Sequence, residues 1–164
     1  MQQYKTFSLF IVLALTLLFG VALYGPTDIW LEKHAVRAAV EKFGAQLNKV
    51  PLAAEEWQIR DALVAHYRPY LTEELLQMWS ADPSRAAGRQ TSSPWPARIE
   101  VNTVHEQGET YVVNGEIVLM TSVEEASAAD DDAGRIPVVL LLMETDAGWR
   151  IAAYQEQVRE TPSP

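Results

Sequence analysis

Cysteine is absent from all 164 residues, so the chain has no disulfide framework, no thiolate metal site, no cysteine nucleophile and no lipobox cysteine. Acidic residues are absent from the first 27 positions, where Lys5 is the one charged side chain. The remainder therefore keeps 12 of the 13 basic residues against all 22 acids, a net charge of −10. Because nucleic-acid binding depends on neutralising phosphates, so acidic a domain is not expected to bind DNA or RNA.

A long uncharged run occupies the N-terminal segment, and residues Phe7 to Tyr24 are almost wholly apolar. This is about the length that a helix needs to cross the hydrocarbon core of a bilayer. With Lys5 before the run and acids after it, the sequence predicts a transmembrane anchor over residues 1–27, a cytoplasmic N-terminus and an extracytoplasmic domain. A cleaved signal peptide is the alternative, since Gly20-Val21-Ala22 faintly resembles a small-x-small cleavage site.

The remaining residues predict one α+β domain over 28–156, followed by a flexible polar tail over 157–164. Helices are expected over about 28–48, 55–67 and 72–79, with Thr72 as the N-cap of the third. Four strand-like runs follow a proline-rich loop at 81–96: Ala97 to Asn102, Thr110 to Ser122, Ile136 to Met143 and the stretch after Gly148. Helices followed by an antiparallel meander predict helices packed on one face of a four-stranded sheet.

Two stretches, "YRPYLTEELLQMW" (67–79) and "DAGWRIAAY" (146–154), together with this order of elements, resemble the nuclear transport factor two-like superfamily, also called cystatin-like. The resemblance covers residues 28–156 and implies a strongly curved sheet that forms a cone around a long helix. That superfamily includes ketosteroid isomerases, polyketide cyclases, dehydratases, transport adaptors and the periplasmic domain of a type IV secretion component, so the resemblance alone assigns no activity. This chain lacks the short early hairpin of fuller members, which implies a narrower sheet.

Strand alternation turns eight side chains toward the helices, and none of them is a carboxylate, lysine or histidine. Tyr67, Tyr111 and Trp149 are expected to line any pocket, and no catalytic residue is expected, because a general base must come within about 3 Å of the proton that it takes. If the two strand faces were reversed, Glu100 or Glu116 would become the base of an isomerase- or dehydratase-like enzyme. The eight inward residues are Ile99, Val101, Tyr111, Val113, Ile117, Leu119, Trp149 and Ile151.

The loop at 81–96 and the start of the next strand form a basic island on an acidic domain. Their arginines and hydroxyl groups would clamp a carboxylate or phosphate, while an indole stacks on the flat part of the same ligand. In the alternative interpretation, the arginines offset the acids at 124–125 and 130–132, and the indole closes the edge of the sheet. The candidate ligand-binding residues are Arg85, Arg89, Thr91, Ser92, Trp95 and Arg98.

Neither a metal site nor a cofactor site is expected. His34, His66 and His105 show no metal-ligand spacing to one another. The tract Asp130-Asp131-Asp132 lacks the alternating oxygen ligands and closing glutamate of a calcium-binding EF-hand.

The sheet face that points away from the helices carries apolar side chains where a solvated face would be polar. Val112, Val118, Met120 and Tyr154, with Ala152, are expected to form an interface for a second copy or for an envelope protein. The sequence therefore predicts a membrane-anchored, extracytoplasmic, non-catalytic binding or scaffolding module. An isomerase- or dehydratase-like enzyme and an assembly subunit of a secretion or conjugation complex are the alternatives.

Overall fold

The computed structural model describes residues 26–123 and 132–157. The predicted anchor at 1–27 therefore lies almost wholly outside the described residues, and so does the predicted tail apart from Gln157. Among the described residues, no helix is both long enough and apolar enough to cross a membrane. The chain divides into two compact units, residues 1–34 and residues 35–164, and the second contains the sheet.

In the described part of the chain, the α-helices are α1 (Pro26–Gly44), α2 (Glu56–Tyr67) and α3 (Glu73–Ala81). Short 3-10 turns follow at Leu47–Lys49 and Pro83–Arg85. One face of α1 packs into the core, because Val36, Val40 and Phe43 recur at helical spacing and are fully buried. The predicted N-cap of α3 is confirmed, since the Thr72 hydroxyl accepts a hydrogen bond from the Leu75 amide at 3.3 Å.

Four strands form one antiparallel sheet in the order β1-β2-β3-β4: β1 (Trp95–Gln107), β2 (Thr110–Met120), β3 (Gly134–Thr145) and β4 (Gly148–Glu156). The expected α+β architecture is therefore present. The first strand is longer than predicted, because it runs from Trp95 to Gln107 and the sequence predicted only Ala97 to Asn102. Residues 68–72, between α2 and α3, contain no hairpin, as the sequence indicates.

The helix-facing side of the sheet follows the predicted alternation. Six of the eight residues expected to point inward are buried, while Leu119 and Trp149 are half-buried and pack against the core. The six buried residues are Ile99, Val101, Tyr111, Val113, Ile117 and Ile151.

A bulge in β4 corrects the predicted placement of Tyr154. Leu142 pairs with Ile151 and Leu141 pairs with Ala153, so Ala152 has no partner on β3. Because one extra residue reverses the alternation beyond it, Tyr154 lies on the same face as Ile151. Tyr154 therefore points toward the helices. The sequence predicted it on the side of the sheet that points away from the helices, here called the outer face.

Two glycines allow close backbone approach to β1. A Cβ on Gly44, the last residue of α1, would lie 2.4 Å from the Ile99 amide nitrogen. A Cβ on Gly115 would lie 2.6 Å from the Glu100 carbonyl oxygen. A register shift in β1, between Val101 and Thr103, lies directly opposite Gly115.

Candidate binding surfaces

An aromatic cluster fills the space between the helices and the sheet. The Phe43 ring centre is 5.0 Å from that of Tyr67 and 6.4 Å from that of Trp79, and Trp79 meets Tyr154 edge to face at 5.5 Å. The Tyr67 hydroxyl donates a hydrogen bond to the Ala87 carbonyl oxygen at 2.7 Å, and burial raises the pKa of Tyr67. The space between the helices and the sheet, here called the cone, is therefore filled by packed rings, which take the place of a deep ligand cavity.

The residues expected to line a pocket belong mainly to this packing. Tyr67 and Tyr111 are buried, and the Tyr111 and Trp149 rings meet edge to face at 5.1 Å. Trp149 is half-buried and borders a shallow surface groove that Tyr70 and Lys42 also line. Of the three predicted residues, Trp149 therefore reaches a concave surface, whereas Tyr67 and Tyr111 are buried in the core.

One end of the cone remains open as a cavity of about 220 Å³, here called the mouth cavity. Four of its lining residues are polar: Gln90 and Thr91 from the loop before β1, and Tyr154 and Glu156 from β4. The Tyr154 hydroxyl donates a hydrogen bond to Glu156 Oε1 at 2.7 Å. Burial, and secondarily the Glu156 carboxylate, raise the pKa of Tyr154 well above its ordinary value, so the hydroxyl retains its proton. The other lining residues are Leu47, Gly88, Pro94, Pro96, Ile117, Leu119 and Ile136.

The predicted arginine clamp is not assembled. Arg89 donates hydrogen bonds to the carbonyl oxygens of Thr91 and Ser92 at 3.1 and 3.0 Å, and its guanidinium lies 5.1 Å from the centre of the Trp95 ring. The Thr91 hydroxyl donates to the Pro94 carbonyl oxygen at 2.9 Å. These contacts hold the loop itself together, because Arg89 Nε, Arg89 Nη2 and the Thr91 hydroxyl each donate to its backbone.

The other two arginines of the predicted clamp lie elsewhere. Arg85 is exposed on the 3-10 turn, and Arg98 lies on β1, with its guanidinium 2.6 Å from Glu100 Oε1. Since Arg98 is part of a strand and not of the loop, strand alternation directs it to the outer face.

A charged network occupies one end of the outer face. Arg135 Nη1 lies 2.5 Å from Glu100 Oε2 and 3.4 Å from Glu116 Oε2, and its Nε lies 2.6 Å from Asp132 Oδ2. Hydrogen bonds from Arg135 and Arg98 lower the pKa of Glu100. Neither Glu100 nor Glu116 points into the cone, so these two carboxylates do not serve the enzyme alternative as pocket bases.

The same network covers part of the predicted interface. Val118 pairs in register with Arg98 on one side and with Arg135 on the other, and it is fully buried. Arg98 Nη1 also lies 3.9 Å from the Met120 sulfur. Since long arginine side chains cover apolar surface with their methylene groups, Val118 is not available as a contact residue.

A smaller apolar area remains on the outer face, and we call it the outer strip. Val112 pairs with Leu141, and Leu141 pairs with Ala153, so these three side chains form a row across β2, β3 and β4. Ala153 and Met143 are exposed, and the other members are half-buried. The outer strip consists of Val112, Val139, Leu141, Met143 and Ala153.

Among the described residues, no group of three or more histidine, aspartate or glutamate side chains is arranged to hold a metal ion. The Trp30 and His34 rings lie 3.9 Å apart. Asp132 pairs with Arg135, while Asp130 and Asp131 lie outside the described residues.

No protein-family model matches the chain, and no curated protein is significantly similar to it. Among solved structures, a designed NTF2-like protein is 10% identical with a TM-score of 0.35, covering 76% of this chain and 95% of its own. The intermembrane-space region of the chloroplast protein ARC6 is 13% identical with a TM-score of 0.39, covering 74% and 90%. A function-unknown protein from Mycobacterium tuberculosis, Rv3472, is 14% identical with a TM-score of 0.43, covering 81% and 75%. At these identities and scores, the likenesses assign neither a family nor an activity.

Proposed function

We propose that this chain is a membrane-anchored, extracytoplasmic, non-catalytic binding or scaffolding module that associates with a second copy of itself through the outer strip. The observation that carries the proposal is the contrast between the two sides of the sheet. The helix-facing side is filled by aromatic rings, whereas the outer strip is apolar and, among the described residues, has no helix over it. An apolar area on an otherwise charged domain favours protein contact over chemistry.

Charge restricts self-association to the region of the outer strip. The chain carries a net charge of −9, so two copies repel each other over most of their surfaces. The outer strip contains no charged residue, and the next row of the sheet contributes Asn114 and Thr103, which hydrogen-bond to each other at 3.1 Å. Two copies related by a two-fold axis through this region would bury apolar side chains without placing carboxylates against each other.

The absence of cysteine makes this contact directly testable. Ala153 lies on the outer face and Ala65 lies on α2, and both are exposed. In the full chain in native membranes, Ala153→Cys is expected to form an intermolecular disulfide with a mild oxidant, whereas the matched control Ala65→Cys stays monomeric. Equal cross-linking of the two variants, or none in Ala153→Cys, would contradict self-association through this face.

The exposed control variant Ala65→Cys, which lies outside the proposed contact, tests the proposed location. A membrane-impermeant thiol reagent applied to intact cells is expected to label it, and alkaline extraction is expected to leave the chain in the membrane fraction. Labelling only after lysis, or release into the soluble fraction, would contradict the anchored, extracytoplasmic arrangement.

A further inference from the structure

We propose that the mouth cavity binds a small organic ammonium ion that carries a short apolar body. This site is separate from the outer strip and is not needed for the proposed self-association. The argument depends on the size of the cavity, on its apolar walls and on the single charge among its lining residues.

Size limits the ligand to a small molecule. At about 220 Å³ the cavity has the volume of about seven water molecules. Pockets for drug-sized ligands begin at about 300 Å³. A chain or ring of about six carbon atoms with one polar group fits such a volume.

Apolar side chains form the deeper walls. Ile117, Leu119 and Ile136 come from the helix-facing side of β2 and β3, Leu47 comes from the turn after α1, and prolines of the loop before β1 close the other side. A hydrocarbon body that displaces water from these walls is stabilised in proportion to the apolar surface that it buries.

The charge at the cavity selects a cation. Glu156 is the one formally charged residue in the lining, and among the described residues no lysine, arginine or histidine forms an ion pair with it. Tyr154 donates to its Oε1 atom, which leaves Oε2 without a protein donor in the described part of the chain. An anionic ligand would meet this carboxylate and the net charge of −9, so the electrostatics favour a positive group.

The polar groups that line the mouth cavity, here called its rim, also fit an ammonium group. The Tyr154 hydroxyl proton is used by Glu156, and the Thr91 hydroxyl proton is used by the Pro94 carbonyl oxygen, so both hydroxyl groups offer only lone pairs to a ligand. The Gln90 side chain adds an amide oxygen as an acceptor and an amide NH2 group as a donor. An ammonium group has three donors and no acceptor, and this is the complement of an acceptor-rich rim.

The test compares three probes of equal length, hexylamine, hexan-1-ol and hexanoate, by isothermal titration calorimetry with the purified full chain. Hexylamine is expected to bind about tenfold more tightly than hexan-1-ol, since a charge-assisted hydrogen bond is about twice as strong as a neutral one. Hexanoate is expected to bind most weakly. Hexan-1-ol binding as tightly as hexylamine, or no binding of any probe, would overturn the proposal.

Two variants with the same change of net charge locate the effect. Glu156→Gln is expected to reduce hexylamine affinity about tenfold, to the level of hexan-1-ol, while Glu144→Gln, at an exposed acid of β3 outside the cavity lining, keeps the preference. Equal losses of hexylamine affinity in both variants would show a general effect of net charge and would overturn the proposed site at Glu156. Leu119→Trp fills the cavity, so unchanged hexylamine binding in this variant would also overturn it. Self-association through Ala153→Cys is measured separately, so the two proposals fail independently.

Discussion

The two faces of the sheet are built from the same four strands but differ in what holds their side chains. On the helix-facing side, Phe43, Tyr67 and Trp79 meet the strands in a continuous aromatic core. On the outer face, ion pairs around Arg135 occupy one end, and the outer strip remains without a partner in the described residues. The comparison shows that stability is concentrated inside the cone, whereas the surfaces available for recognition lie outside it and at its mouth.

The largest expected effect concerns the inner face. Phe43 contacts four other rings and is fully buried, so Phe43→Ala should lower the free energy of unfolding by about 3–5 kcal/mol in urea titrations. Trp57→Ala serves as the control, because this indole is 64% exposed, and it should change stability by no more than about 0.5 kcal/mol. Similar losses in the two variants would show that the aromatic cluster is not the main core.

A smaller effect is expected where α1 meets β1. Gly44→Ala places a methyl group 2.4 Å from the Ile99 amide nitrogen, so the helix end and the strand must separate. Overpacking of this kind costs about 1–3 kcal/mol, measurable by thermal or urea unfolding. If Gly44→Ala left the stability unchanged, α1 and β1 would be farther apart than described.

The charged network should contribute less, and its contribution should depend on pH. Hydrogen bonds from Arg135 and Arg98 lower the pKa of Glu100 in the folded state, so the network stabilises the fold above the ordinary carboxyl pKa of about 4.3 and loses this contribution as the pH falls through the lowered value. Because these side chains are partly exposed, Glu100→Gln should lower stability at pH 7 by at most about 1 kcal/mol.

Urea titrations from neutral to acidic pH check this expectation, and the difference between wild type and Glu100→Gln should shrink at the acidic end. Glu56→Gln is a matched control, because Glu56 pairs with Arg60 within a single helical turn on the surface. This exposed helical pair is expected to contribute about 0.3–0.5 kcal/mol. If the difference in free energy of unfolding between wild type and Glu100→Gln increased as the pH is lowered, the expectation would be contradicted.

The smallest expected effect on stability belongs to the outer strip. Leu141→Lys should change the free energy of unfolding of the isolated chain little, but it should abolish the cross-link of Ala153→Cys when the two substitutions are combined. A buried lysine pair at a two-fold contact is disfavoured by both desolvation and repulsion. Undiminished cross-linking would place the contact elsewhere.

Much of the inner face could be predicted from the sequence, because strand alternation and helical spacing are local patterns. Val113 and Ile117 on β2 were predicted to point inward in this way and are buried, and Val36, Val40 and Phe43 on α1 show the helical spacing. The cap at Thr72 was also visible, since a hydroxyl before a helix accepts from the backbone within three residues.

The candidate sites could not be predicted to the same degree. A single unpaired residue, Ala152, turns Tyr154 inward, and alternation alone gives no signal for such a bulge. The Tyr154–Glu156 pair at the mouth cavity was therefore missed. The burial of Val118 depends on Arg98 and Arg135 from neighbouring strands, and this pairing appears only in the register of the sheet.

The filled cone is the central claim, and xenon tests it most directly because xenon enters empty apolar cavities. We predict that NMR spectra of the full chain under xenon pressure show shifts in the methyl groups of Leu119 and Ile136, at the mouth cavity, and none at Val40 and Leu63. Shifts of equal size at Val40 or Leu63 would reveal a hollow beside the aromatic cluster and contradict the account.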